Sequence, residues 1–213
     1  MKFRLFYEGP LYASKGDAVD GQADRKRDHK HSVRCAFHRQ LKHLWSLHPW
    51  LSTTKHGRDI LGMPHIAQHI PFNLDTYLWE KLAEVHEVNG QRFVPLVCEQ
   101  FKLLCELDVL MLRRDKPGGI FQSRDIDNRL KTLFDALRMP KNGLEIGEAE
   151  FSEEEKPMFV LLQDDSLISN VQVETDELLD PPHQSGKDDS YVRLILTVKL
   201  HPYEVNMFNL SFA

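Results

Sequence analysis

Residues 100–114, Gln-Phe-Lys-Leu-Leu-Cys-Glu-Leu-Asp-Val-Leu-Met-Leu-Arg-Arg, constrain the fold more than any other stretch of the chain. Phe101, Leu103, Cys105, Leu107, Val109 and Met111 recur at a period of two, in a run too β-rich and apolar for a surface helix. The spacing predicts a long, mostly buried strand. Shorter strands are expected at 3–8, 158–162, 168–174 and 191–200, the last with Val192, Leu194, Leu196 and Val198 alternating. Helical spacing covers about 32–50 (Val33, Phe37, Leu41, Leu44, Leu47), about 73–88 with Asn73 or Asp75 as cap, and 124–139, which Pro140 and Asn142-Gly143 stop. Asn89-Gly90 reads as a turn. The stretch from Gly9-Pro10 to about Lys30, residues 115–122 and residues 177–190 read as loops, and the acidic segment 145–156 as a surface insertion. The expected fold class is therefore α+β, a small mixed sheet with packed helices.

Three cysteines, Cys35, Cys98 and Cys105, contain no CxxC pair, which argues against a disulfide scaffold and a cysteine-built zinc site. The N-terminus alternates charge with bulk and no apolar run approaches a membrane span, so a cytoplasmic location is expected and membrane insertion is not. The net charge of -5 hides a strong asymmetry: residues 1–60 carry 12 Lys and Arg against 6 Asp and Glu, residues 111–141 carry 8 against 4, and residues 142–190 carry 2 against 14. A phosphate backbone responds to local potential, so the two basic stretches could bind nucleic acid while the acidic one faces away.

The helix 124–139 has two sides. At 100° per residue, Ile126, Leu130, Leu133, Phe134 and Leu137 share one arc, and Asp127, Lys131, Asp135 and Arg138 another. Taken alone, carboxylates at a helix start are explained by capping at Asp125 and an i,i+4 pair between Asp127 and Lys131. A second acidic pair, Asp164-Asp165, sits on a turn between two expected strands. If the pairs converge, they form an all-oxygen ligand set suited to Mg²⁺ or Mn²⁺, which activate water and stabilise a phosphodiester under in-line attack.

At this point the chain resembles the RusA-type Holliday-junction resolvases. The resemblance rests on Arg124-Asp125-Ile126-Asp127-Asn128-Arg129-Leu130-Lys131, on Leu133-Phe134-Asp135-Ala136-Leu137, and on Asp164-Asp165-Ser166-Leu167-Ile168 leading into a strand. It covers about residues 100–200, with a looser match at the opening strand. It implies a RusA-like nuclease core over 1–19 and 96–213, and a basic, His-rich helical insertion over 20–95. It further implies Asp125, Asp127 and Asp165 as metal-binding catalytic carboxylates, Asp164 as an assisting ligand, Lys131 as the catalytic lysine, and a Mg²⁺ (or Mn²⁺) cofactor. Arg113, Arg114, Arg124, Asn128 and Arg129 are the expected nucleic-acid contacts, with Lys116, Arg138 and Lys141 as further candidates. The implied activity is structure-specific endonucleolytic nicking of branched DNA in recombination and repair by a homodimer, a two-fold enzyme for a two-fold substrate.

The linkage from Asp127 to Asp165 is longer than the compact family pattern, and residues 20–95 have no motif-level counterpart. Two alternatives follow: a resolvase-like module that binds DNA or a partner without turnover, and the same centre acting on other DNA or RNA in a defence role. The eight histidines between His29 and His69 include His38/His43 and His65/His69, which lack a complete zinc ligand set. Trp45, Trp50 and Trp79 are expected to anchor helices, and the tail to dock on its own core or a dimer mate.

Overall fold

The computed structural model describes residues 1–13, 22–52, 77–114, 124–147, 150–180, 190–205 and 209–212, with backbone alone for residues 22–26, 124 and 125. The long strand expected near residue 100 is β4 (Leu103–Arg113), preceded by a 3-10 turn at Glu99–Phe101. Its residues alternate between buried and half-buried along the whole length, the pattern of a strand with one face on a core. β4 lies inside a four-stranded mixed sheet of order β1-β7-β4-β6, where β1 is Lys2–Pro10, β6 Ile168–Glu177 and β7 Tyr191–Pro202. β7 is antiparallel to both β1 and β4, and β6 runs parallel to β4.

A second, three-stranded sheet has the order β2-β3-β5, with β2 at Glu87–Val88, β3 at Gln91–Val97 and β5 at Met158–Leu162. Asn89 and Gly90 both take positive φ, 51° and 77°, the conformation that closes a two-residue β2–β3 hairpin, so the expected turn is present. β3 and β5 are parallel, and every residue of β5 is buried. With helices α1 (Gln22–Leu47), α2 (Leu78–Val85), α3 (Arg124–Leu137) and α4 (Gly143–Ile146), the described residues form an α+β protein.

Several boundaries differ from expectation. Residues 22–30, read as loop, are the first turns of α1. Gln, Ala, Arg and Lys favour helix although none supplies an apolar stripe, and Lys30 is fastened to Asp135 of α3 at 2.6 Å. The expected boundary at 95/96 falls inside β3, and α1 contributes Val33, Phe37, Leu41 and Trp45 to the same buried cluster as Leu5, Leu107 and Leu196. The acidic stretch 145–156 is tied down as well: Glu145 lies in α4 and accepts two hydrogen bonds from Arg138, and Glu153–Glu155 form a 3-10 turn on α1. The expected caps Asn73 and Asp75, and the His65/His69 pair, lie outside the described residues; α2 instead begins after Tyr77, whose amide donates to Glu80 Oε2 at 2.7 Å. The end of the tail docks on its own core: Phe212 is fully buried, and Asn209 Nδ2 donates to the carbonyls of Phe101 and Glu204.

Candidate functional site

α3 forms because its apolar residues repeat at helical spacing, and it buries Ile126, Leu133, Ala136 and Leu137. That leaves Asp127 and Lys131, one turn apart, exposed on the outer side. Leu130 and Phe134 are only partly covered and form an apolar floor beside them.

The backbone beyond α3 determines what this face meets. Arg138 makes a parallel bridge to Leu162, and the Met139 amide donates to the Leu162 carbonyl at 2.9 Å, so the end of the helix is stapled to the end of β5. β5 in turn is fixed to β3 through Gln163 N–H to Val97 C=O at 2.9 Å. Immediately after comes the turn Asp164-Asp165-Ser166-Leu167, where Asp164 caps a 3-10 turn by accepting from the Ser166 amide at 2.9 Å. The staple brings this turn against α3. Asp127, Leu130, Lys131, Phe134, Asp135 and Asp165 line one open depression of about 340 Å³.

Three residues far apart in sequence or role, Asp127, Lys131 and Asp165, thus share a single concavity. The Asp127–Lys131 ion pair that the i,i+4 spacing suggests is not among the ion pairs of the described residues. The two members of the acidic turn also differ. Asp164 spends one oxygen on the Ser166 amide, and that bond, with the Ser166 side chain and the Lys141 ammonium, holds its carboxyl well below the usual carboxylate range. Asp165 is exposed and faces the depression.

Lys141 completes the charge balance. Its Nζ lies 3.0 Å from Asp164 Oδ2 and 3.2 Å from Asp165 Oδ1, and these two carboxylates raise its pKa. A candidate phosphate contact from its place beside the motif, Lys141 here meets two carboxylates. Arg138, another expected phosphate contact, is 4% exposed and bound to Asp135 at 2.8 Å and to Glu145 through both terminal nitrogens at 2.8 and 3.1 Å. It is a structural cation at the α1–α3–α4 junction, and Asp135, held below its ordinary pKa by Lys30 and Arg138 against the opposing effect of burial, is its counter-charge.

Arg113 and Arg129 are each 5% exposed, so both are drawn inward and present little surface to a nucleic acid; Arg114 and Asn128 are half-buried. Lys116 and the side chains of Arg124 and Asp125 lie outside the described residues, although the Asp125 backbone sits in the first turn of α3. Among the described residues, the carboxylates of this depression do not place three ligand atoms within 4.8 Å of one another; one group does, His31, Cys35 and Glu155. Neither a cysteine pair nor a histidine pair marks it in the sequence; its signal is the mixed spacing His31-x-x-x-Cys35.

The donor chemistry around the depression fits a hard divalent cation. Mg²⁺ is commonly bound by one or two carboxylates with water and substrate oxygens completing six positions, and Asp127 and Asp165 supply two carboxylates open to solvent. Beside them Lys131 provides a cation able to meet a phosphate oxygen. Comparison with known protein families, with curated proteins and with solved structures finds no match to this chain.

Proposed function

We propose that this protein is a Mg²⁺-dependent endonuclease of the RusA type that nicks Holliday junctions or related branched DNA and works as a homodimer. The observation that carries the reading is the convergence of Asp127, Lys131 and Asp165, from α3 and from a turn 34 or more residues later, on one solvent-open depression. The order of the motif residues in sequence, Asp125-x-Asp127-x-x-x-Lys131 followed by Asp164-Asp165 between two strands, supports it.

Asp127 and Asp165, with Asp125, would hold Mg²⁺, which when bound supplies charge neutralisation at the scissile phosphate and an acidified water. Lys131 stands one turn from Asp127 and donates to a phosphate oxygen as negative charge grows in the transition state. Leu130 and Phe134 form the apolar floor beside that lysine. Asp164 keeps the turn in shape through Ser166 so that Asp165 points into the depression.

The test is a cleavage panel of four-way junction, flap, duplex, single strand and RNA, run with Mg²⁺ and with chelator. Wild type is expected to nick the junction only with Mg²⁺, and Asp127→Asn to lose at least about 10²-fold in rate, the scale of removing one charge-stabilising group, while still binding the junction. Intact substrates throughout the panel would defeat the proposal. Cleavage of RNA or single strands in preference to the junction would move the same centre to a different target.

A further inference from the structure

A second constellation lies before β5, at the opposite end of that strand from Asp165. α1 presents His31 and Cys35 four residues apart on one face, and the 3-10 turn before β5 presents Glu155 to the same spot. One ligand atom from each lies within 4.8 Å of the other two, and Cys35 Sγ stands 3.5 Å from His31 Nε2. Without an ion the three groups are linked by hydrogen bonds, Cys35 meeting both His31 and Glu155, and the same spacing suits a shared metal. A tetrahedral Zn²⁺ with bonds of about 2.0–2.1 Å to nitrogen and about 2.3 Å to sulfur sets those two ligands roughly 3.5 Å apart.

The surroundings hold these groups in place. The Ser152 amide donates to Glu155 Oε2 at 2.8 Å, and Gln91 Nε2 donates to the Glu155 carbonyl at 3.0 Å, which together fix where the carboxylate points. The neighbouring Glu154 carbonyl accepts from His38 Nε2 and Lys42 Nζ, so the turn is fastened to α1 on both sides. The Phe151 ring meets the His31 ring edge-on at 4.6 Å and sets its plane. The buried His31 Nδ1 has no hydrogen-bond partner, so the orientation of the ring rests on Phe151 and on the Nε2 contact with Cys35. Cys35 and Phe151 also pack against the small apolar cluster of Phe93, Ile146, Met158 and Val160, which gives the spot one dry wall. Oriented ligands with an apolar shell are what tunes a metal site.

We propose that His31, Cys35 and Glu155 bind one Zn²⁺, with the fourth position left to water or an incoming ligand. A mixed sulfur, nitrogen and oxygen set favours borderline-soft Zn²⁺ over Mg²⁺. Loading takes the Cys35 thiol proton to bulk water as the zinc–sulfur bond forms. The site is separate from the depression at Asp127 and Asp165. Glu155 precedes β5 and Asp165 follows it, and the five-residue strand between them spans about 17 Å at its usual rise. One end of β5 therefore carries a site for a transition metal and the other a site for a hard cation.

Metal-stripped full-length protein titrated with Co²⁺, an optical stand-in for Zn²⁺, tests this. One thiolate-bound Co²⁺ per chain is expected, read from a thiolate-to-cobalt charge-transfer band that saturates at one equivalent and that stoichiometric Zn²⁺ abolishes. Cys35→Ser removes the band, Glu155→Gln weakens binding at least tenfold, and Cys98→Ser, Cys105→Ser and Asp127→Asn leave both unchanged. Metal-free melting curves of Cys35→Ser and Glu155→Gln show that each variant folds, and the more exposed Glu155 position keeps the test decisive if Cys35→Ser does not. A wild type without the band, a band that survives Cys35→Ser, or a Glu155→Gln variant of unchanged affinity would overturn the assignment. Failure here leaves the nuclease reading untouched, because Asp127→Asn reports on that centre alone.

Discussion

Lys141 occupies a position of tension. Its ammonium sits between Asp164 and Asp165, where it neutralises a carboxylate that the proposed hydrolysis needs for a divalent cation. Metal and ammonium compete for Asp165, so Lys141→Gln is expected to tighten Mg²⁺ binding by about threefold, a small change because exposed ion pairs are weak. The Mg²⁺ dependence of junction cleavage measures it, and weaker Mg²⁺ dependence in the variant would mean that Lys141 helps to assemble the site. Little of this was legible in the sequence. Asp127 and Lys131 could be placed on one helix face because helical geometry is local, and Asp164-Asp165 could be placed on a turn because its flanking strands are apolar. The partnership of Lys141 with residues more than 20 positions away has no local signature. The burial of Arg113, Arg129 and Arg138 was equally hidden, since arginine is ordinarily an exposed residue.

At the level of elements, His38 locks α1 to β5. It is 3% exposed; its Nδ1 accepts from the Phe159 amide at 2.9 Å and its Nε2 donates to the Glu154 carbonyl at 3.1 Å. Only the neutral ring can accept at Nδ1, and burial lowers its pKa below 6.5. A base whose folded pKa is depressed binds fewer protons folded than unfolded, so the stability it contributes is complete above 6.5 and declines as pH falls through 6.5 toward the lower folded value. His29, His31, His48 and His86 are shifted down by burial too, which widens the effect. Chemical denaturation from pH 7.5 to 5 is expected to show stability falling with acid. His38→Gln, which leaves the Phe159 amide poorly matched, should cost about 1–3 kcal/mol at neutral pH and flatten the slope; an unchanged slope would exclude His38 from the effect. The strands were readable because a period of two in β4 and β7 survives any tertiary arrangement. The first turns of α1 were not, because polar helix formers and polar loop residues look alike until something such as Asp135 gives Lys30 a partner.

For the whole molecule, the decisive contact is the staple between the end of α3 and the end of β5, where Arg138 bridges Leu162 and the Met139 amide reaches the Leu162 carbonyl. It divides the linkage between the two acidic motifs into unequal parts. In sequence, residues 142–157 fall between the two halves of the staple, so added length there is expected to leave both carboxylates in place, whereas only residues 163 and 164 separate the staple from Asp165. Two extra glycines after Gly147 are expected to leave Mg²⁺-dependent cleavage within about threefold, since lengthening a connection adds little loop-closure entropy. A single glycine after Gln163 should abolish cleavage while the protein still melts cooperatively. Evolution can thus pay out chain on one side of this seam as slack in a rope, whereas on the other the same residue would act like a slipped tooth in a gear.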